Sequence, residues 1–161
     1  MNFYEHFSSV KRSNKKQSKK NIMEKHKILT KWKGGMAFET ELGKHVVRID
    51  APAEAGGEDS APGPKRLMLV ALTGCTGMDV VSILKKMRVE IDNLEIEVEA
   101  DHTEEYPKHY VKMNVVYKFY GKNLPLEKLE KAVKMSEDTY CGVRAVYSKA
   151  MEMTSEIRVI E

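Results

Sequence analysis

The sequence predicts an α+β domain with mostly antiparallel sheet, and three observations carry that reading. Strand-like segments come in runs, three before one long helical stretch and two after it, rather than alternating singly with helices. The stretch Pro64–Arg88 is long enough for a helix that crosses a small domain, and from Leu67 to Leu84 its only charge is Asp79. Asn93–His102 alternates strictly, with Leu94, Ile96, Val98 and Ala100 on one face and Glu95, Glu97, Glu99 and Asp101 on the other. A chain of 161 residues accommodates one domain, placed at 23–161 behind a basic tail at 1–22.

The first strand, His26–Lys33, leads into Gly34-Gly35, a pair suited to a hairpin turn. Met36–Glu41 and His45–Asp50 follow as the second and third strands of a meander, joined at Leu42-Gly43-Lys44. Residues 51–63 hold Pro52, Gly56, Gly57, Pro62 and Gly63, which mark a loop. Pro64 then fits a helix first turn, where its missing N–H costs nothing, and Lys85, Lys86 and Arg88 suit the negative end of the dipole. A helix apolar on all faces is expected to be buried on all faces, and Gly74 and Gly77 within it imply close approach by another element. His109–Tyr120 reads as a second long strand, Pro125–Met135 as an amphipathic helix, Val143–Met151 as a short helix and Met153–Glu161 as a final strand.

Charge is unevenly placed. Residues 1–33 carry ten Lys/Arg and two acids, while the remaining chain is net −5. The folded body therefore offers no electrostatic footprint for nucleic acid. The tail, with six Lys/Arg between Lys11 and Lys20 set among Ser, Asn and Gln, reads as a solvated extension, with an arm for RNA or anionic lipid as the competing reading. Met23, just ahead of the patterned sequence, is a candidate natural start. Thr73, Gly74, Thr76, Gly77, Asp79 and Ser82 dilute the hydrophobicity of the long helix, which is read as a core helix and not a membrane span. Residues 1–22 lack the apolar segment of a secretory signal, so the expected location is the cytoplasm.

Two cysteines, Cys75 and Cys141, stand 66 positions apart, too few for a disulfide scaffold. Cys75 falls mid-helix and Cys141 where a new helix starts, a place that favours a thiolate. Asp79, one turn beyond Cys75, opposes thiolate formation there if it faces the same cavity. Taken bare, they are inert buried thiols or a redox pair. His102, Glu104, Glu105 and His109 lie near a strand connection and are read as a solvated loop, so no metal or cofactor is expected. The stripe Tyr110, Tyr117, Phe119 and Tyr120 is read as sheet core or a dimer surface.

The series Gly57-Glu58-Asp59-Ser60-Ala61-Pro62-Gly63-Pro64, followed by a helix bearing Gly74-Cys75-Thr76-Gly77-Met78-Asp79-Val80-Val81-Ser82-Ile83-Leu84, resembles the OsmC/Ohr family. The likeness continues through Tyr106-Pro107-Lys108, Tyr117, Gly121-Lys122-Asn123-Leu124-Pro125 and Ser136-Glu137-Asp138-Thr139-Tyr140-Cys141-Gly142-Val143. It implies an intertwined homodimer with long helices buried between the protomers. It also implies an organic hydroperoxide substrate, Cys75 as the attacking thiolate, Cys141 as the resolving thiol, and a thiol or dithiol as reductant.

The peroxidases of the family pair an arginine after the first glycine pair with a glutamate after the helix-opening proline. Here Met36 and Lys65 stand at those places, with Arg48, Arg66 and Arg144 as candidate substitutes. The chain thus resembles the OsmC-like branch that keeps the cysteines without that pair. The leading expectation is thiol-dependent hydroperoxide reduction in oxidative-stress defence. The alternative is a small-molecule binding or weak redox protein.

Overall fold

A computed structural model describes residues 25–161; the expected tail at 1–22 and the candidate start Met23 lie outside the described residues. The chain runs β1 (Thr30–Gly34), β2 (Ala37–Leu42), β3 (His45–Ile49), α1 (Pro64–Lys86), β4 (Asn93–His102) and β5 (Tyr110–Tyr120). It continues through α2 (Leu126–Met135), a π turn at Ser136–Tyr140, α3 (Gly142–Tyr147) and β6 (Glu152–Ile160). The expected order is recovered, with α3 shorter than the sequence pattern suggested.

β1, β2 and β3 form an antiparallel meander. Gly34 at φ 105° and Gly35 at φ 50° supply the left-handed backbone that turns β1 into β2. The loop after β3 winds around Asp50. Its buried carboxylate accepts hydrogen bonds from the backbone N–H groups of Ala51, Glu58 and Ser60 and from Ser60 Oγ. One side chain thus satisfies backbone donors in a segment without a ladder of its own, and its loop delivers the chain to Pro64.

The second sheet has the order β4-β5-β6. β4 and β5 are antiparallel from Asn93↔Tyr120 to His102↔Tyr110, and the strict alternation of β4 appears as alternating half-buried and exposed positions. β6 runs parallel to β5, from Lys112↔Glu152 to Tyr120↔Ile160. A parallel neighbour needs a crossover, and here that connection carries α2, the π turn and α3. Three of the four strand pairings are antiparallel, so the sheet is mostly antiparallel as expected.

β5 is the central strand, with Met113, Val115, Tyr117 and Phe119 fully buried on one face. α1 lies against that face through Leu72, Thr76, Val80, Ile83 and Leu84, a spacing of three and four residues that keeps one stripe inward. The opposite stripe is uncovered: Met78 is 72% exposed, Val70 61% and Val81 51%. Burial on all faces is therefore not met within one protomer. Gly77 does admit a close neighbour, since an added Cβ would meet Ile96 Cδ1 at 3.0 Å, whereas nothing lies within 4 Å of Gly74. α1 is long and apolar enough to cross a membrane. Its stripe packed on β5, with a hydrogen-bonded hydroxyl inside it, marks it as a core helix instead.

α1 ends at Lys86 with a Schellman closure that the sequence did not announce. Arg88 N–H donates to Lys85 O at 3.2 Å and Val89 N–H to Leu84 O at 3.0 Å, with Arg88 in the left-handed region at φ 55°. The position usually taken by glycine is filled by arginine. Buried Val89 and Leu84 supply the apolar contact typical of this closure.

Candidate redox site

Cys75 sits on the inward side of α1, half-buried, and Asp79 follows one turn later on the same face. Cys141 is buried at the junction between the π turn and α3. The π turn widens the helical path so that Cys141 N–H reaches back to Ser136 O at 2.8 Å, and a five-residue turn of this kind often marks a functional site. Both thiols are free. Cys75 Sγ, Cys141 Sγ and an Asp79 carboxylate oxygen lie within 4.8 Å of one another. The two cysteines singled out from sequence are thus brought together, and Asp79 faces them.

Cys141 acts as the N-cap of α3, its sulfur accepting from Arg144 N–H at 3.4 Å. Burial pushes the Cys141 thiol up to about 11, the Arg144 N–H lowers it in part, and the nearby Cys75 and Asp79 raise it further. The helix start that suggested a reactive thiolate is overridden by burial. Cys141 therefore stays a thiol at neutral pH.

A buried polar chain runs from this site into the core. Ser136 Oγ donates to Asp79 Oδ2 at 3.2 Å and lies 3.0 Å from Thr76 Oγ1. Thr76 Oγ1 lies 2.7 Å from Tyr117 Oη, which donates to Glu137 Oε1 at 3.3 Å. Burial pushes the Tyr117 hydroxyl well above its ordinary range, so it remains a donor. With Ser136 and Tyr117 committed to the two carboxylates, Thr76 has one proton for two neighbours. Glu137 Oε1 also stands 3.3 Å from Arg144 Nη1, with only 11% and 12% of the two side chains exposed. Arg144 Nη1 has no aligned hydrogen-bond partner, so this contact is electrostatic.

The candidate cations are occupied elsewhere. Exposed Arg48 pairs with half-buried Glu39 at 3.1 Å, Arg66 is exposed in the first turn of α1 beside Lys65, and the Arg144 guanidinium serves Glu137. Met36 is exposed in the β1–β2 turn. Among the described residues, no cationic side chain is hydrogen-bonded to either sulfur. His102 and His109 are exposed, and each donates from Nδ1 to a nearby carbonyl, of Thr103 and Pro107 respectively. Tyr117 and Phe119 are core, with ring centroids 6.5 Å apart. Sequence reasoning missed the Thr76–Ser136 and Glu137–Arg144 contacts. The first joins residues 60 positions apart and leaves no periodic trace.

The family profile described as "OsmC-like protein" matches residues 57–156. Protein YhfA of Escherichia coli strain K12 is 30% identical over 130 residues, covering 81% of this chain and 95% of YhfA. The crystal structure of a hypothetical protein from Aquifex aeolicus VF5 superposes with a TM-score of 0.76 at 28% identity, covering 86% of this chain and 98% of that one. The organic hydroperoxide resistance protein OhrB of Bacillus subtilis shares the fold, with a TM-score of 0.61 at 18% identity over 83% of this chain and 98% of its own. With the profile matched over more than half its length and YhfA covered almost end to end, this chain belongs to the OsmC-like family.

Proposed function

We propose that this protein reduces organic hydroperoxides through Cys75 and Cys141. The observation that carries the reading is the meeting of two free sulfurs from distant parts of the chain within 4.8 Å, one half-buried and one buried. Cys75, the more accessible, gives up its proton and attacks the terminal oxygen of ROOH. Its sulfur becomes a sulfenic acid, the O–O bond breaks, and the departing alkoxide takes the released proton to leave as alcohol. Cys141, kept as a thiol by burial, then attacks the sulfenic sulfur. The S–O bond breaks, and hydroxide leaves with the Cys141 proton as water. An external thiol or dithiol returns the disulfide to two thiols by exchange.

The working unit in this proposal is a cytoplasmic homodimer. Trp32 at 68% exposed and Leu29 at 66%, together with Met78 and Val81 on α1, leave more uncovered apolar surface than single scattered residues provide. Sedimentation that gives only monomer at micromolar concentration would remove this element.

The test adds cumene hydroperoxide to the reduced protein and follows peroxide loss together with disulfide formation by mass spectrometry. Wild type is expected to consume peroxide and form the Cys75–Cys141 bond, while Cys75→Ser does neither. A Cys75→Ser protein that consumes peroxide at the wild-type rate defeats the reading. A second reading, small-molecule binding with little turnover, is favoured by one observation: Met36 and Lys65 replace the peroxidases' Arg and Glu, and no cationic side chain is bonded to the sulfurs. It is distinguished by a small molecule retained in native mass spectra and negligible peroxide loss.

A further inference from the structure

The three groups that meet at the redox site are two sulfurs and a carboxylate, a donor set for a thiophilic cation. We propose that the reduced protein binds one divalent cation of the zinc class per protomer through Cys75 Sγ, Cys141 Sγ and the Asp79 carboxylate, with a fourth coordination position left to solvent. This inference does not depend on peroxide turnover.

Geometry supports it first. The donor atoms lie within 4.8 Å of one another. A tetrahedral ion with bonds of about 2.3 Å to sulfur and about 2.0–2.2 Å to oxygen sets its ligand atoms about 3.5–3.8 Å apart, up to roughly 1 Å closer than that upper bound, a change that side-chain torsions supply. Cys75 and Asp79 are four residues apart on one face of a 23-residue helix, so two of the ligands are held by a rigid element. Cys141 is fixed by the backbone closing the π turn.

The surroundings already hold the ligands in place. Asp79 Oδ2 accepts from Ser136 Oγ at 3.2 Å, and Cys141 Sγ accepts from Arg144 N–H at 3.4 Å. Such outer contacts orient metal ligands. Ser136 is itself buried and tied to Thr76, so the carboxylate is supported from the core.

Charge supplies the third argument. A metal ion displaces the thiol protons on binding, and the two thiolates and the carboxylate then need a compensating charge that the Arg144 guanidinium, engaged by Glu137, does not supply. A divalent ion compensates all three. Two sulfur donors select a borderline-soft ion over Mg²⁺ or Ca²⁺, which require oxygen. Cys75 and Asp79 are half-buried, which gives the ion an access path and an open fourth position. Oxidation of the two thiols to a disulfide consumes both sulfur donors, so the same residues cannot hold the ion and the S–S bond at once.

The test uses the full chain, reduced, stripped of metal with a chelator and kept anaerobic. Co²⁺ is the probe, because a thiolate-to-cobalt charge-transfer band and intense visible bands report tetrahedral sulfur ligation. The expected result is saturation at one Co²⁺ per protomer, displacement by Zn²⁺, loss of the band in Cys75→Ser, and affinity lowered about tenfold or more in Asp79→Asn. No charge-transfer band in the reduced wild type, or an undiminished affinity in Asp79→Asn, overturns the proposal. Should a variant fail to fold, the reduced wild type decides with no substitution: a charge-transfer intensity matching two thiolates per Co²⁺ at one ion per protomer supports the site, and an intensity matching one thiolate or none rejects it. Peroxide consumption measured on the same samples separates the two proposals. A protein that turns over peroxide but shows no band fails only this one.

Discussion

Tyr117 Oη lies 2.7 Å from Thr76 Oγ1, joining the middle of the central strand to the middle of the long helix inside the core. Both residues are fully buried, and the contact links the Ser136 side of the network to Glu137, so losing either hydroxyl breaks a buried chain of hydrogen bonds. Tyr117→Phe and Thr76→Val are each expected to destabilise the fold by about 1–3 kcal/mol, because each leaves buried polar groups unmatched. The double variant should cost less than the sum, since the contact between the two hydroxyls is lost only once. Urea unfolding of the four proteins measures this, and strictly additive costs would show that the contact carries no coupling.

The closure of α1 makes a second prediction. Arg88 is exposed and holds φ 55°, which costs a residue with a side chain about 1–2 kcal/mol relative to the right-handed region. Arg88→Gly removes that strain and is expected to stabilise by about 1 kcal/mol, reduced by glycine's greater freedom in the unfolded chain. Thermal unfolding should show a rise in Tm, and a fall would mean that the arginine side chain supports the turn.

At the other end of α1, Lys65 lies in the first turn, where the helix has no acidic residue and no side-chain cap. A cation there opposes the helix dipole. Lys65→Glu is expected to stabilise by about 0.3–1 kcal/mol at low ionic strength. The gain should shrink as salt is added, so an effect independent of salt would point to a cause other than charge.

Asp50 yields a pH prediction. Hydrogen bonds from the Ser60 side chain first, then from the Ser60 backbone, hold its carboxyl below the usual range, with Ala51 and Glu58 adding to the effect. A carboxyl depressed on folding contributes stability that is fully present above its unfolded value of about 3.9. That contribution is lost as pH falls through the lower folded value. Wild type should therefore lose urea resistance more steeply than Asp50→Asn as pH is lowered below about 4. Parallel acid limbs for the two proteins would contradict this.

Much of the frame was legible because it is periodic. The alternation of Leu94, Ile96, Val98 and Ala100 with acids reports a half-covered strand directly, and the apolar length of 67–84 reports a core helix. The direction of β6 was not legible, since alternation is the same whichever way a strand points; only the crossover fixes it. The stop of α1 at Arg88 was hidden because the left-handed position holds arginine where glycine would have signalled it. At the site, Cys75 and Cys141 were found by residue type and resemblance. Asp79 was legible as a neighbour of Cys75 at helical spacing. The Ser136–Thr76 and Arg144–Glu137 contacts depend on how α2 and the π turn dock on α1 and β5, which no local pattern records.

The two cysteines bracket β4, β5 and α2, with Cys75 on the helix before them and Cys141 on the crossover after. A bond between them would turn an open thread into a loop with two tails. Pulled from its ends, the reduced chain can extend over its full contour, whereas in the oxidised chain the 66 residue steps from Cys75 to Cys141 stay out of the load path. At about 3.4 Å per residue that hides roughly 220 Å of length. The redox state of the site would then be readable as a distance, one molecule at a time.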